Sequence, residues 1–232
     1  MSLRRAGVWT IVVAGGSGNR FGSRKQFSPL EGKTLVEWAV EPALAVSEGV
    51  VLVVPADSIG DTLPAVDAVV GGGTTRAESV RAGLVAVPPG AGVIVVHDAA
   101  RPLASVALFE SVIAAVADGA DGAIPGIPVS DTLKRTVAST GGARHVTSTV
   151  DREGVVAVQT PQAFRAAILR RAHKDGGEST DDAALVEEGG GTVVVVDGEP
   201  GNLKVTSPSD IERAAYLLGM VQGDRLMNQE AR

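Results

Sequence analysis

Short, continuously apolar runs recur along the chain, and they limit its architecture more than any other feature. They lie at Val8–Val13, Val50–Val54, Ala68–Val70, Gly92–Val96, Gly122–Pro125, Val155–Val158 and Thr192–Val196. A strand with one face in water alternates apolar and polar residues, whereas an unbroken apolar run suits a strand covered on both faces. Ala-, Leu- and Glu-rich segments separate the runs and read as helices, at Thr34–Val46, Arg76–Val87, Ser105–Ala117, Phe164–His173, Asp181–Glu188 and Pro208–Leu218. The alternation predicts an α/β fold, a Rossmann-like, mostly parallel twisted sheet flanked by helices. With 232 residues, 44% of them hydrophobic, one domain over residues 1–232 can bury a full core. Ser207-Pro208-Ser209-Asp210 reads as a helix start: a capping Ser, Pro at the first position and an acid in the first turn. The polar tail after Met220 is expected to fray.

Residues Ser130 to Asp151 break the pattern. They are Thr-rich and β-prone, with Gly141-Gly142 as a turn. Neither face carries enough apolar residues for a core, and an isolated hairpin is marginal in water. This arm is expected to lean on the parent domain or on a second subunit.

Composition excludes several classes. A net charge of −6 argues against a general nucleic-acid binder. The absence of Cys excludes disulfides, thiolate zinc sites and a cysteine nucleophile. His97, His145 and His173 are not at metal-ligand spacing. No run approaches the roughly 18 apolar residues of a membrane span. Glycines break the apolar stretch after Arg4-Arg5 early, so no signal peptide is expected and a cytoplasmic location follows.

The first apolar run opens into Gly15-Gly16-Ser17-Gly18, followed by Arg20 and Lys25. A glycine loop after a buried strand presents backbone N–H groups to phosphate oxygens, and cations neutralise their charge. The alternative is that both cations are solvated surface charges. The dinucleotide fingerprint fails, because Phe21 stands at its third glycine and Asp57 lies too far along for the ribose acid. A P-loop also fails: Phe27 stands where its first glycine should be, and Gly32-Lys33-Thr34 is more simply a turn into a helix.

A second cluster, His97-Asp98-Ala99-Ala100-Arg101, follows a buried strand, where open α/β sheets bind ligands. Asp98 can meet Mg²⁺ together with phosphate oxygens, or it can simply pair with Arg101 at a turn. His97 reads as a packed neighbour. In a third cluster, Gly71-Gly72-Gly73 precedes a helix that Thr74 or Thr75 can cap, with Ser79 near enough to read a base edge. Thr132, Arg152, Thr160 and Lys204, in later clusters, supply hydroxyls and cations suited to a phosphorylated polyol.

The chain resembles the cytidylyltransferases of the non-mevalonate isoprenoid pathway. The resemblance rests on AGGSGNRFGSRKQ, GGGTTRAESVRAGL, VHDAARP, DTLKR, VDREGVVAVQTPQAF, STDDAALVE and NLKVTSPSD, in family order over nearly the whole chain. It implies that CTP and 2-C-methyl-D-erythritol 4-phosphate give the cytidine diphosphate product and pyrophosphate, with Mg²⁺. It also implies a homodimer interlocked by the β-arm at 130–151. Ala14, Gly15, Gly16, Gly18, Gly73 and Ala99 would surround the nucleotide, with Ser79 near the base and Asp98 at the Mg²⁺–triphosphate. Arg20 and Lys25 would stabilise the α-phosphate as it becomes five-coordinate. Arg101, Thr132, Arg152, Thr160 and Lys204 would hold the substrate phosphate, with Arg152 and Lys204 also acting in catalysis and Thr132 coming from the partner's arm. Thr74 stands where many members have an acid. Arg24 replaces a common Pro, a change expected to loosen the loop. A ribitol-phosphate cytidylyltransferase and a non-catalytic nucleotide binder are the competing readings.

Overall fold

The computed structural model describes residues 5–16, 24–139, 141–174, 176–177, 179 and 181–230, with the backbone alone at 5–6 and 221–230. The chain opens with β1 (Arg5–Val13) and, after the glycine loop, a hairpin of β2 (Pro29–Leu30) and β3 (Lys33–Thr34). Next come α1 (Leu35–Val46), β4 (Ser47–Val54), β5 (Ala68–Gly71), α2 (Arg76–Ala86), β6 (Val93–Asp98), α3 (Val106–Ala117) and β7 (Gly122–Pro128). The arm is β8 (Leu133–Ala138) and β9 (Arg144–Val150). The chain ends with β10 (Val156–Val158), β11 (Gln162–Arg165), α4 (Ala166–Ala172), α5 (Asp182–Glu188), β12 (Val193–Asp197) and α6 (Pro208–Glu230).

Among the described residues the main sheet runs β10-β7-β11-β6-β1-β4-β5, with β12 also paired to β7. β6, β1, β4 and β5 are mutually parallel, as is β12 with β7; β11 and β10 run antiparallel to their neighbours. Because successive strand residues face opposite sides, each valine run feeds two cores. Val50, Leu52 and Val54 pack with Val12 and Val95 under α1 and α3. Val51 and Val53 pack with Ile11, Ile94 and Val96 against α2, α4 and α5. A third cluster seats α6 on Leu30 and Leu35 through Ala214 and Leu218.

Two sequence expectations are corrected. Phe164 is in strand β11 rather than at a helix start: it is fully buried and pairs with Ile94 and Gly122, so cross-strand packing decides its conformation. The segment after Met220 continues as helix to Glu230 instead of fraying. The expected hairpin with its Gly141-Gly142 turn is present. β8 and β9 form a two-stranded sheet of their own, turned by Gly141 (φ 92°) and Gly142 (φ 84°) in the left-handed region that glycine tolerates.

Candidate active site

Three loops leave the sheet at the carboxyl ends of parallel strands, and each is pinned before it turns. Ala14 N–H donates to Val53 O (2.7 Å), Gly72 N–H to Val54 O (2.7 Å) and Ala99 N–H to Val13 O (3.0 Å). They enclose a cleft of about 430 Å³, completed by Lys25 and Gln26 from a short 3-10 turn and by Lys204 from the segment before α6. The ligand crevice of open α/β sheets lies at this position.

The glycines let the loops approach one another. Ser79 donates to Thr75 O (2.9 Å), and its hydroxyl packs between Gly15 and Gly72. A Cβ on Gly72 would fall 2.8 Å from Ser79 Oγ, and one on Gly73 would fall 2.3 Å from Glu78 Cβ. Thr75 caps α2 in a capping box with Glu78. Glu78 Oε2 also accepts from Thr74 N–H (2.6 Å) and Thr74 Oγ1 (2.5 Å), so hydrogen bonds from Thr74 hold the Glu78 carboxyl below its ordinary range. The turn below the cleft is thereby fixed with backbone amides near its wall.

Charge in the cleft centres on Asp98. Its Oδ2 accepts from Lys204 Nζ (2.7 Å) and its Oδ1 from Arg76 Nε (3.1 Å). Burial opposes its negative charge, but Arg76 and Lys204 outweigh burial and hold the carboxyl well below the usual carboxylate range. The alternative turn pair with Arg101 does not form: Asp98 binds Arg76, while Arg101 donates to Asn202 O (2.8 Å) and Val158 O (3.2 Å). Burial pushes the Arg101 guanidinium below its ordinary pKa, with Asp98 acting against the shift. Lys25 Nζ donates to Val205 O (2.8 Å), and Val205 N–H to Ala100 O (2.7 Å), which brings Lys25 beside the Lys204 segment. Asp210 fastens the other end of that segment, accepting from Thr206 N–H (2.9 Å) and Ser207 N–H (2.9 Å). Arg24 is tied to Asp57 and to Ser58 Oγ (2.6 Å).

His97 has partners that the sequence did not reveal. It is fully buried, packs against Phe109 with ring centroids 5.0 Å apart and planes tilted by 56°, and meets Thr160 Oγ1 (3.1 Å) at Nδ1 and Arg101 O (3.2 Å) at Nε2. Thr160 Oγ1 in turn accepts from Asp98 N–H (3.0 Å), so these residues hold the Asp98 backbone in place. Burial pushes the His97 pKa down to about 4. The unfolded chain takes up this proton near pH 6.5. Between pH 6.5 and 4 the unfolded state therefore binds more protons, and stability falls as pH falls. The expected slope is about 1.4 kcal/mol per pH unit at most, with the full contribution present above pH 6.5. Thermal melts without nucleotide or divalent ion should fall from pH 6.5 to pH 5, and His97→Gln should flatten that fall. An unchanged slope in the variant would remove His97 as its source.

Of the residues expected at the site, Ala14, Gly15, Gly16, Lys25, Gly73, Ser79, Asp98, Ala99 and Lys204 line this one cleft. Thr160 lies beneath it, with its hydroxyl bonded to Asp98 and His97. Arg101, Thr132 and Arg152 do not line it; Arg101 is held at the Asn202 and Val158 carbonyls. Thr132 is exposed at the arm's base, and Arg152, bonded to Ser130 O, lines a separate hollow there. Gly18 and Arg20 lie outside the described residues. The sequence reading missed Arg76 and the buried Gln26, whose Nε2 donates to Gly16 O (3.3 Å). Both stand inside motifs already singled out, at the first residue of α2 and beside Lys25.

A protein-family model described as 2-C-methyl-D-erythritol 4-phosphate cytidylyltransferase matches residues 8–220. Proteins of that name from Streptomyces coelicolor and Nocardia farcinica are 42% and 41% identical, over 90% and 91% of this chain and 83% and 94% of theirs. A "Bifunctional enzyme IspD/IspF" from Granulibacter bethesdensis is 44% identical over 88% of this chain. The chain spans 54% of that relative's length, and 54–58% across the bifunctional relatives leading the comparison. The crystal structure of 2-C-methyl-D-erythritol 4-phosphate cytidylyltransferase from Thermus thermophilus superposes with a TM-score of 0.75 at 33% identity, covering 90% of this chain and 97% of that one.

Proposed function

The chain belongs to the 2-C-methyl-D-erythritol 4-phosphate cytidylyltransferase family, and from that premise we propose that it transfers CMP from CTP to 2-C-methyl-D-erythritol 4-phosphate, releasing pyrophosphate. The observation that carries the reading is the convergence of Lys25, Lys204 and glycine backbone on one cleft around a single lining carboxylate, Asp98. The acceptor phosphate is already a nucleophile, so the chemistry needs no covalent intermediate. It needs two anions brought together and the charge on the α-phosphoryl group relieved. Ala14, Gly15, Gly16 and Gly73 offer backbone to the nucleotide, and Ser79 stands beside them for the base. Lys25 would serve the α-phosphate, a role that the family resemblance also gives Arg20, and Lys204 would serve the acceptor phosphate together with Arg101.

A divalent ion such as Mg²⁺ fits this donor set as a companion of the nucleotide. No group of three or more His, Asp or Glu able to hold a metal occurs among the described residues, and Asp98 is the one acid lining the cleft. Mg²⁺ commonly takes one or two carboxylates, with phosphate oxygens and water as its other ligands. Each Asp98 oxygen already accepts from one cation, Arg76 or Lys204, so Asp98 would hold the ion through a remaining lone pair while triphosphate oxygens and water supplied its other ligands, and the ion would neutralise triphosphate charge.

The arm completes the proposal. Val137 and Val146 are 52% and 60% exposed on a hairpin that pairs with no other strand among the described residues. A partner chain would cover it, and the arm's base would carry Thr132 and Arg152 to the partner's cleft. Cytoplasmic location belongs to the same reading, since CTP is supplied there.

The test is pyrophosphate release with CTP, Mg²⁺ and either 2-C-methyl-D-erythritol 4-phosphate or ribitol 5-phosphate. Release with the first alone is expected. Release with ribitol 5-phosphate alone would overturn the acceptor, and silence with both would overturn the activity.

A further inference from the structure

Asp98 ends a buried chain of charges that runs out of the cleft. Arg76 Nε donates to Asp98 Oδ1 (3.1 Å), and Arg76 NH1 donates to Asp182 Oδ2 (2.7 Å). Asp182 Oδ1 lies 2.9 Å from His173 Nε2. The side chains of Asp182 and His173 are 1% and 2% exposed, and neither lines the cleft. The participants come from separate elements: Arg76 opens α2, Asp182 opens α5, and His173 caps the end of α4. A carboxylate so deeply buried persists only when paired and hydrogen-bonded. Burial opposes the Asp182 charge, but Arg76 and His173 hold its pKa below the ordinary value, so it is ionised.

We propose that Asp182 is a positioning residue for the transfer reaction: by holding Arg76 it leaves one Asp98 oxygen for Lys204 and so keeps the Lys204 ammonium over the cleft. The inference rests on the cytidylyl-transfer reading. A guanidinium is a rigid planar fork that takes a carboxylate through two N–H groups whenever it can. With NH1 engaged by Asp182, Arg76 presents Nε to one oxygen of Asp98. Without that acceptor charge, Arg76 swings to grip both oxygens of Asp98 and displaces Lys204. His173 fixes the Asp182 carboxylate from its far side.

The test uses the full chain and three variants, Asp182→Asn, Arg76→Ala and the double, assayed by pyrophosphate release. Asp182→Asn keeps the side-chain shape and is expected to lower kcat/KM for the acceptor phosphate about 30-fold, chiefly through KM. Arg76→Ala removes the guanidinium that would displace Lys204, so it is expected to cost about fivefold or less, and the double should recover to the level of Arg76→Ala alone. A purely structural Asp182 would leave the double as impaired as Asp182→Asn, or more so. That result, or an Asp182→Asn enzyme within about twofold of the wild type, would overturn the proposal. If Asp182→Asn alone fails to fold, Arg76→Ala against the double still decides, because the double buries no unpaired Arg76 charge. An unmodified chain inactive with every polyol phosphate would overturn the underlying reading instead.

Discussion

Lys25→Ala is expected to lower kcat about 10²–10³-fold while the protein stays folded. Charge builds on the α-phosphoryl oxygens as the acceptor phosphate enters and pyrophosphate leaves, and a fixed cation in a sheltered cleft is worth most at that moment. In the free protein Lys25 Nζ is held by Val205 O at 2.8 Å, at the edge of the cleft that Lys204 also lines. Losing that hydrogen bond costs about 1 kcal/mol of stability, far too little to unfold the domain. The loss should fall on kcat more than on CTP affinity, because the interaction strengthens in the transition state. Single-turnover rates beside CTP binding by calorimetry separate the two. A normal rate with weakened binding would make Lys25 a simple anchor for the triphosphate.

Deleting residues 136–144 is expected to convert a dimer into a folded monomer and to raise KM for the acceptor phosphate about 10–100-fold. The arm is paired only with itself among the described residues, so its removal takes nothing from the main sheet. Its base carries Thr132 and Arg152, which lie off the cleft of their own chain. A lost charged hydrogen bond to phosphate costs about 1.5–3 kcal/mol, which sets the expected KM change. Sedimentation and steady-state kinetics on one preparation check both halves. A deletion that remains dimeric with unchanged KM would show that the arm neither joins subunits nor serves the acceptor.

The sheet was legible because a parallel sheet writes itself locally. Val50–Val54 is unbroken since α1 and α3 cover one face and α2 the other. Phe164 was misread because nothing in the sequence separates β11 from α4, and only its place between β6 and β7 makes it a strand. The glycine loops and Asp98 were legible as residue types at strand ends. Their partners were not, because pairing distant in sequence exists only in the fold. Pairing of Asp98 with Arg101 three residues on is only one option in the sequence; in the fold Asp98 pairs with Arg76 and Lys204, the latter 106 positions away. His97 reads only as a packed neighbour because Thr160 lies 63 positions away. Arg76 stood in a quoted motif, yet Asp182, 106 positions on, gives it its role.

Following the phosphorus atoms of CTP tests the transfer itself. The unmodified chain would be supplied with Mg²⁺, 2-C-methyl-D-erythritol 4-phosphate and CTP labelled at either the α- or the γ-phosphorus. The α-label is expected only in the cytidine diphosphate product and the γ-label only in pyrophosphate. Transfer of γ-label to the acceptor, or α-label released as free CMP, would contradict attack at the α-phosphorus by the acceptor phosphate.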